Sequence, residues 1–174
     1  QQLRAYQSRQ KESELNEARM RAEEAQKQLA ALREEIRATE SRATDSGVVL
    51  TLSDVVFEFD KAQLKTGAER SLRRLSDFLK QHENRKVLIE GFTDARGSAE
   101  YNKELAERRA QSVAQALQAD GVSADRITTR GLGEQYPVAS NETAAGRQQN
   151  RRVEITVLNP GTRSENAGRK KESS

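Results

Sequence analysis

The stretch "GFTDARGSAEYNKELAERRAQSVAQAL" (Gly91–Leu117) holds an acid on a turn, Asp94, and a guanidinium, Arg109, set inside the apolar stripe of a helix. With Leu105 marking the buried side and about 100° per residue, Arg109 lies about 40° round and Val113 about 80°. A guanidinium cannot shed its charge by deprotonation, so one aimed inward must meet an anion or a wet pocket, or carry a heavy desolvation cost. Asp94 is the nearest acid offered by the turn that feeds the helix, and Gly97 permits that turn to be tight. Two arrangements satisfy the pattern. In one, Asp94 and Arg109 pair and pin the loop to the helix. In the other, they stand slightly apart as negative and positive handles for a zwitterionic ligand.

Those residues need a scaffold, and from Val48 the chain alternates strand and helix patterns. "VVLTL" (Val48–Leu52) is β-rich, and Thr66-Gly67-Ala68-Glu69 reads as a capping box opening a helix with Ala68, Leu72, Leu75, Phe78 and Leu79 on one face. "KVLIEGF" (Lys86–Phe92) is a strand whose three consecutive apolar residues imply burial on both faces. The helix of Arg109 follows, then a strand at Arg126–Leu132, a polar loop with Pro137 and Gly146, and "RRVEITVL", where Val153, Ile155 and Val157 alternate with Glu154 and Thr156. The order βαβαβ-β predicts an α/β (α+β) domain with a mixed, partly parallel sheet and the long helices packed on it. Asp94 then falls at a strand's carboxyl end, where ligands of such sheets tend to sit.

Upstream, Leu15, Ala18, Ala22, Ala25, Leu29, Leu32 and Ile36 recur in steps of three and four residues, a heptad seam weakened by its alanines. Residues 1–45 are therefore read as a helical stalk, either a coiled coil that could form homo-oligomers or a lone solvated helix. The patternless "TESRATDSG" (Thr39–Gly47) reads as the boundary, residues 46–158 as the domain, and residues 159–174, which have no apolar periodicity, as a disordered tail.

Net charge is +3 over 174 residues. The stalk holds nine Lys/Arg and nine Asp/Glu, the domain 17 and 16, the tail four and two, so the excess is largely a property of the tail. With aromatic residues at 4% and no Trp, nucleic acid is not an expected partner. Absence of cysteine removes disulfides, thiolate nucleophiles and Cys-based zinc sites, and suits a periplasmic or cytosolic protein. No cofactor is expected. No apolar run approaches the roughly 18 residues of a membrane span. The chain opens at Gln1 without a signal peptide, and is read as a processed or truncated form whose membrane anchor would lie upstream.

The same stretch, with "VVFEFDKAQL" before it and "GLGEQYP" and "NRRVEI" after it, resembles the OmpA-like peptidoglycan-binding domain over about Val48–Leu158. The resemblance implies a two-layer sandwich that grips, without covalent chemistry, the meso-diaminopimelate of the peptidoglycan stem peptide. The family's key acid falls on Asp94 of "TDARG", next to Thr93 of "GFTD", and its key arginine on Arg109 of "ERRAQ". Asp94 would take the ligand's ammonium and Arg109 its carboxylate. Asn102, about 60° round the helix from Leu105, and Asp60 and Arg151 match further ligand-contacting positions. Arg151 shares parity with Val153 and Ile155 and should point with them, and Arg152 away. Each of these three also has a plain reading: Asn102 solvating a helix end, Asp60 capping a turn, Arg151 lying over the sheet edge. Phe92 departs from the His or Tyr of many members, losing a polar ring contact while keeping the aromatic packing. His82, the lone histidine, is expected to make a helix-dipole contact.

The resemblance implies a periplasmic, outer-membrane-associated tether to the cell wall, with no enzyme activity. An enzyme would need paired carboxylates with split pKa values, such as Asp94 with Glu90 or Glu100, and an arginine beside them would hold its neighbour ionised. A self-associating scaffold built on the stalk is the other alternative.

Overall fold

Alternation along the last strand sets the layering of the molecule. Val153, Ile155 and Val157 join Leu50, Leu52, Val87 and Ile89 in the main core, whereas Glu154 and Thr156 turn to the opposite face of the sheet. The computed structural model describes residues 2–35 and 40–169. Its elements run α1 (Gln2–Glu35), β1 (Glu40–Ala43), β2 (Gly47–Ser53), α2 (Thr66–Gln81), β3 (Val87–Phe92), α3 (Ala99–Ala119), β4 (Ile127–Gly133), α4 (Ala144–Asn150) and β5 (Arg152–Leu158). The strands form one sheet in the order β1-β2-β5-β3-β4, in which β3 and β4 are parallel and the other neighbours antiparallel. The mixed sheet with helices packed on it is the predicted fold class.

Helix α2 buries Leu72, Leu75, Phe78 and Leu79, and α3 buries Ala110, Val113 and Leu117, all in one cluster with the inward residues of β2, β3 and β5. Each large aliphatic side chain so buried contributes about 1.5–3 kcal/mol. The predicted capping box does not form. Thr66 is already helical, and the N-cap is Lys65, whose carbonyl accepts from the N–H groups of Ala68 and Glu69 without a side-chain cap. The polar stretch before β5, read as loop, contains α4, capped by Thr143 through its side-chain bond to the Gly146 N–H.

Three further features depart from the sequence reading. Strand β1, at the edge of the sheet, lies within the stretch assigned to stalk and boundary, where four residues are too few to show a period. Ala25 and Leu29 of the heptad seam pack into the domain core instead of remaining free for another helix, while Leu15 is exposed and Leu32 and Ile36 lie outside the described side chains and residues. His82, the C-cap of α2, makes contacts beyond the helix end. Its ring lies 4.4 Å from that of Phe78, its Nε2 is 2.7 Å from Gln28 Oε1 on α1, and burial, with Arg85 nearby, lowers its pKa.

Residues 159–169, expected to be disordered, cover the outer face of the sheet; residues 170–174 lie outside the described part. Ala167 packs with Leu88 and Leu158, and the carbonyls of Ser164 and Ala167 accept from Arg130 at 2.8 and 3.2 Å. The Arg169 N–H donates to both oxygens of Glu90, at 3.2 and 3.0 Å. This segment lacks apolar periodicity because it docks through backbone groups onto a polar sheet face, which leaves little trace in sequence.

Glu90 and Glu154 are directly opposed on β3 and β5, both buried. Burial pushes the Glu90 carboxyl up to about 7; the Arg169 N–H opposes this and the Glu154 charge adds to it. A buried acid with a raised folded pKa binds more protons folded than unfolded between about 4.5 and about 7, so its contribution to stability falls as pH rises through that window. Urea denaturation of the unaltered chain and Glu90→Gln across pH 4 to 8 should show the variant gaining relative stability with rising pH, by a few kcal/mol at the upper end. A second outcome concerns Gly91, where α3 comes so close to β3 that a Cβ would collide with the Ala106 carbonyl. Gly91→Ala should lower stability by roughly 1–3 kcal/mol in the same assay, because helix and strand must separate.

Candidate functional site

The register of the sheet assembles the site. Ser53, Arg152 and Phe92 are partners across β2, β5 and β3, so the residues just beyond them, Asp54, Arg151 and Thr93–Asp94, leave the sheet side by side at one end of its inner strands. The Asp54 N–H donates to the Arg151 carbonyl at 3.2 Å, and the Thr93 N–H to the Gly133 carbonyl at 2.9 Å. Helix α3 runs past this end and brings Asn102 and Arg109 to it. The result is a cavity of about 520 Å³ whose walls include all six predicted residues: Asp60, Thr93, Asp94, Asn102, Arg109 and Arg151.

Asp94 and Arg109 are both buried, and they do not pair with each other. Asp94 Oδ2 accepts from Arg151 Nη1 at 2.7 Å and from Arg96 at 3.2 Å, and its Oδ1 accepts the Arg96 N–H at 2.9 Å. Burial would raise the Asp94 pKa, but the Arg96 N–H and the guanidinium groups of Arg151 and Arg96 outweigh it and hold the carboxyl below its ordinary value. Arg109 donates from Nε to the Lys61 carbonyl at 3.1 Å, lies over the Phe57 ring at 5.1 Å, and has Asp54 Oδ2 3.9 Å from its Nη1. Burial lowers the Arg109 pKa, opposed by Asp54 and Asp60. The two handles therefore stand apart on the walls of one cavity.

The secondary positions divide by what they touch. Asn102 does more than solvate a helix end: its Nδ2 donates to the carbonyls of Arg96 at 2.8 Å and Asp94 at 3.3 Å and so fastens the loop to α3. Thr93 is buried, its hydroxyl bonded to the Asp94 carbonyl at 2.9 Å. Arg151 caps the end of α4 and reaches Asp94, Asp54 (3.0 Å) and Gln148 Oε1 (2.6 Å). Asp60 is exposed, on a loop where it adopts a φ of 54°, a left-handed conformation that aspartate tolerates. Phe92 is buried away from the cavity wall, edge-on to Tyr136 and covered by the Arg152 guanidinium at 3.9 Å. Glu90 projects from the opposite face of the sheet, and neither it nor Glu100 lines the cavity.

Sequence reading missed Asp54, Phe57 and Gln148. Asp54 bridges Arg151 and Arg109 and accepts from Gln148 Nε2 at 2.7 Å, yet it lies in a short turn without periodicity. Its one available signal was position, directly after the strand that ends at Ser53. Arg96 lay in the "TDARG" motif itself and went unassigned.

A mixed α/β domain with a charged cavity at the end of the sheet where β2 and β3 stop and β5 begins is the class that fold and site define. The profile of the OmpA family matches residues 56–151, and the chain belongs to that family. It is 42% identical over 133 residues to the probable lipoprotein YiaD of Escherichia coli, an alignment covering 75% of this chain and 61% of that protein. It is 44% identical over 108 residues to the peptidoglycan-binding protein ArfA of Mycobacterium tuberculosis, covering 62% of this chain and 33% of ArfA. Among solved structures, the cell wall anchor of the T6SS from Pseudomonas aeruginosa superposes with a TM-score of 0.64 at 35% identity, over 75% of this chain and 96% of that one. The chain thus spans from one third to three fifths of these two curated relatives. Among the described residues no helix is long and apolar enough to cross a membrane, and no group of His, Cys, Asp and Glu is arranged to hold a metal ion.

The depressed Asp94 pKa has a stability consequence of fixed sign. A carboxylate held below its unfolded value contributes stability that is present above about pH 4 and is lost as pH falls through the folded pKa. Asp94→Asn should cost at least about 1 kcal/mol at pH 7, and the gap to the unaltered chain should narrow below about pH 4 in urea titrations at each pH.

Proposed function

We propose that this chain binds peptidoglycan non-covalently, taking the meso-diaminopimelate side chain of the stem peptide into the Asp94–Arg109 cavity. The observation that carries this reading is that a buried acid and a buried guanidinium face the same cavity without spending their charges on each other. Diaminopimelate presents an ammonium and a carboxylate on one short end. The ammonium meets Asp94, replacing the Arg96 side chain, which is 66% exposed. The carboxylate meets the Nη groups of Arg109, whose nearest anion, Asp54, stands no closer than 3.9 Å. Arg151 keeps Asp94 ionised, and Asn102 keeps its loop in place. Charge-assisted hydrogen bonds of this kind are roughly twice as strong as neutral ones.

The names of its relatives support the same reading: one is a peptidoglycan-binding protein and one solved structure a cell wall anchor. On this reading the chain tethers an outer-membrane or other envelope component to the wall from the periplasm, and performs no chemistry. Asp54 and Asp94 are both engaged by Arg151, the environment of a fixed anion and not of an acid/base pair.

Free meso-diaminopimelate should bind the unaltered chain, and Asp94→Ala and Arg109→Ala should each weaken binding by about thirty-fold or more, the 2–5 kcal/mol of a truncated buried charge contact. Calorimetric titration, with circular dichroism to verify folding, measures it. Normal binding by both folded variants would remove the site assignment. Incubation with sacculi separates the functions: a binding module pellets with the wall, and a hydrolase releases muropeptides.

A further inference from the structure

Behind the sheet, on the face opposite the Asp94 cavity, lies a second cavity of about 450 Å³ lined by Arg42, Arg152, Arg169, Glu154, Thr51 and Gln149 among others. Its three arginines come from three separate parts of the chain: edge strand β1, the start of β5, and the C-terminal segment that docks on the outer face. All three converge on one buried carboxylate. Arg152 Nε donates to Glu154 Oε2 at 2.7 Å, and Arg42 Nη2 and Arg169 Nε both donate to Glu154 Oε1, at 2.9 and 3.3 Å.

Arg152 is fully buried in structural work, since it also donates to the carbonyls of Asn150 and Tyr136, each at 3.1 Å, and covers Phe92. Arg42 and Arg169 differ. Each is about one third exposed and, among the described contacts, commits a single side-chain N–H group, to the same oxygen. Glu154 therefore holds two guanidinium groups side by side at the cavity mouth with most of their donors unused. Three fixed positive charges against one carboxylate leave an excess of two. The other acid on this face, Glu90, is engaged by Arg130 at 3.8 Å and by the Arg169 backbone N–H, and does not cancel the excess. One carboxylate offsets only part of the repulsion among three guanidinium groups at a partly dry surface, and a further anion between the two exposed ones would offset the rest.

The geometry points to an oxyanion site: this cavity takes a phosphate group, free or as a phosphate monoester, between Arg42 and Arg169. A phosphate monoester carries about −1.5 to −2 charges at pH 7, which matches the local excess, and its three oxygens suit two planar guanidinium forks. Carboxylates are the weaker match, with half the charge. The site exists only when β1 and residues 159–169 are both docked, because each supplies one of the two exposed arginines. It does not depend on the diaminopimelate reading of the first cavity.

Inorganic phosphate titrated into the isotope-labelled chain, against chloride at equal ionic strength, should produce saturable shifts at the amides of Thr51, Gln149 and Arg169. Arg42→Gln and Arg169→Gln should each weaken binding roughly tenfold, the loss of one charge-assisted contact. Mapping on the unaltered chain tests the site even if a variant folds poorly. Shifts confined to the Asp94 cavity, or affinity unchanged in the folded double variant, would overturn the assignment. Phosphatidylcholine vesicles with and without phosphatidic acid identify the source: co-sedimentation that needs Arg42 and Arg169 makes the ligand a lipid headgroup, and saturation by free phosphate alone makes it a soluble ester. If neither saturation by phosphate nor co-sedimentation is observed, the site is overturned.

Discussion

A guanidinium keeps its charge wherever the fold puts it, and Arg109 is put where water is scarce. Everything around the first cavity follows from managing that charge. Its Nε is satisfied by a backbone carbonyl and its face by the Phe57 ring, while its nearest carboxylate is kept at a distance instead of in contact. Asp94 has the complementary arrangement, an acid held ionised by Arg151 and by a loop N–H. A direct Asp94–Arg109 bond would have satisfied both groups and closed the cavity. Separate partners leave both polarities open to a ligand.

That separation is the work of the strand termini at one end of the sheet. Aligned by register, they bring Arg151 within hydrogen-bonding reach of both Asp54 and Asp94, and α3 delivers Arg109 from a different direction. Strand ends held by ladder bonds are stiff, so charges placed there keep their spacing. Asn102 extends the same stiffness to the loop after β3. Arg96, exposed at the mouth, adds a second guanidinium to Asp94 from the loop itself.

The two faces of the sheet solve the problem of buried charge in different ways. On the helix side the charges border a cavity and remain partly unspent. On the outer side Glu154 gathers arginines from β1, β5 and the C-terminal segment, and Glu90 clasps the backbone of that segment. A buried carboxylate with several cationic partners ties distant parts of the chain to one point, and removing any partner leaves the others unbalanced. Edge strand β1 is thereby tied to the sheet through Arg42 as well as through its ladder with β2, and the C-terminal segment through Arg169 as well as through its backbone groups.

Much of this was legible beforehand where a local period exists. The apolar stripe of α3 and the intruding Arg109, the alternation of β5 with Arg151 turned inward, and the continuous burial of β3 follow from 3.6- and 2-residue repeats that any neighbour must respect. The motif around "TDARG" named Asp94. What the sequence could not decide was which charges meet, because a pairing between residues 54 and 151, or 42 and 154, depends on strand register and not on local pattern. Asp54 in its turn, β1 with four residues and the docked segment 159–169 have too few side chains in period to be seen. Their places are fixed by hydrogen-bonding partners far away in the chain. Tertiary structure alone decided that Asp94 and Arg109 face one cavity without pairing with each other, since only the folded sheet brings Arg151 close enough to pair with the acid instead.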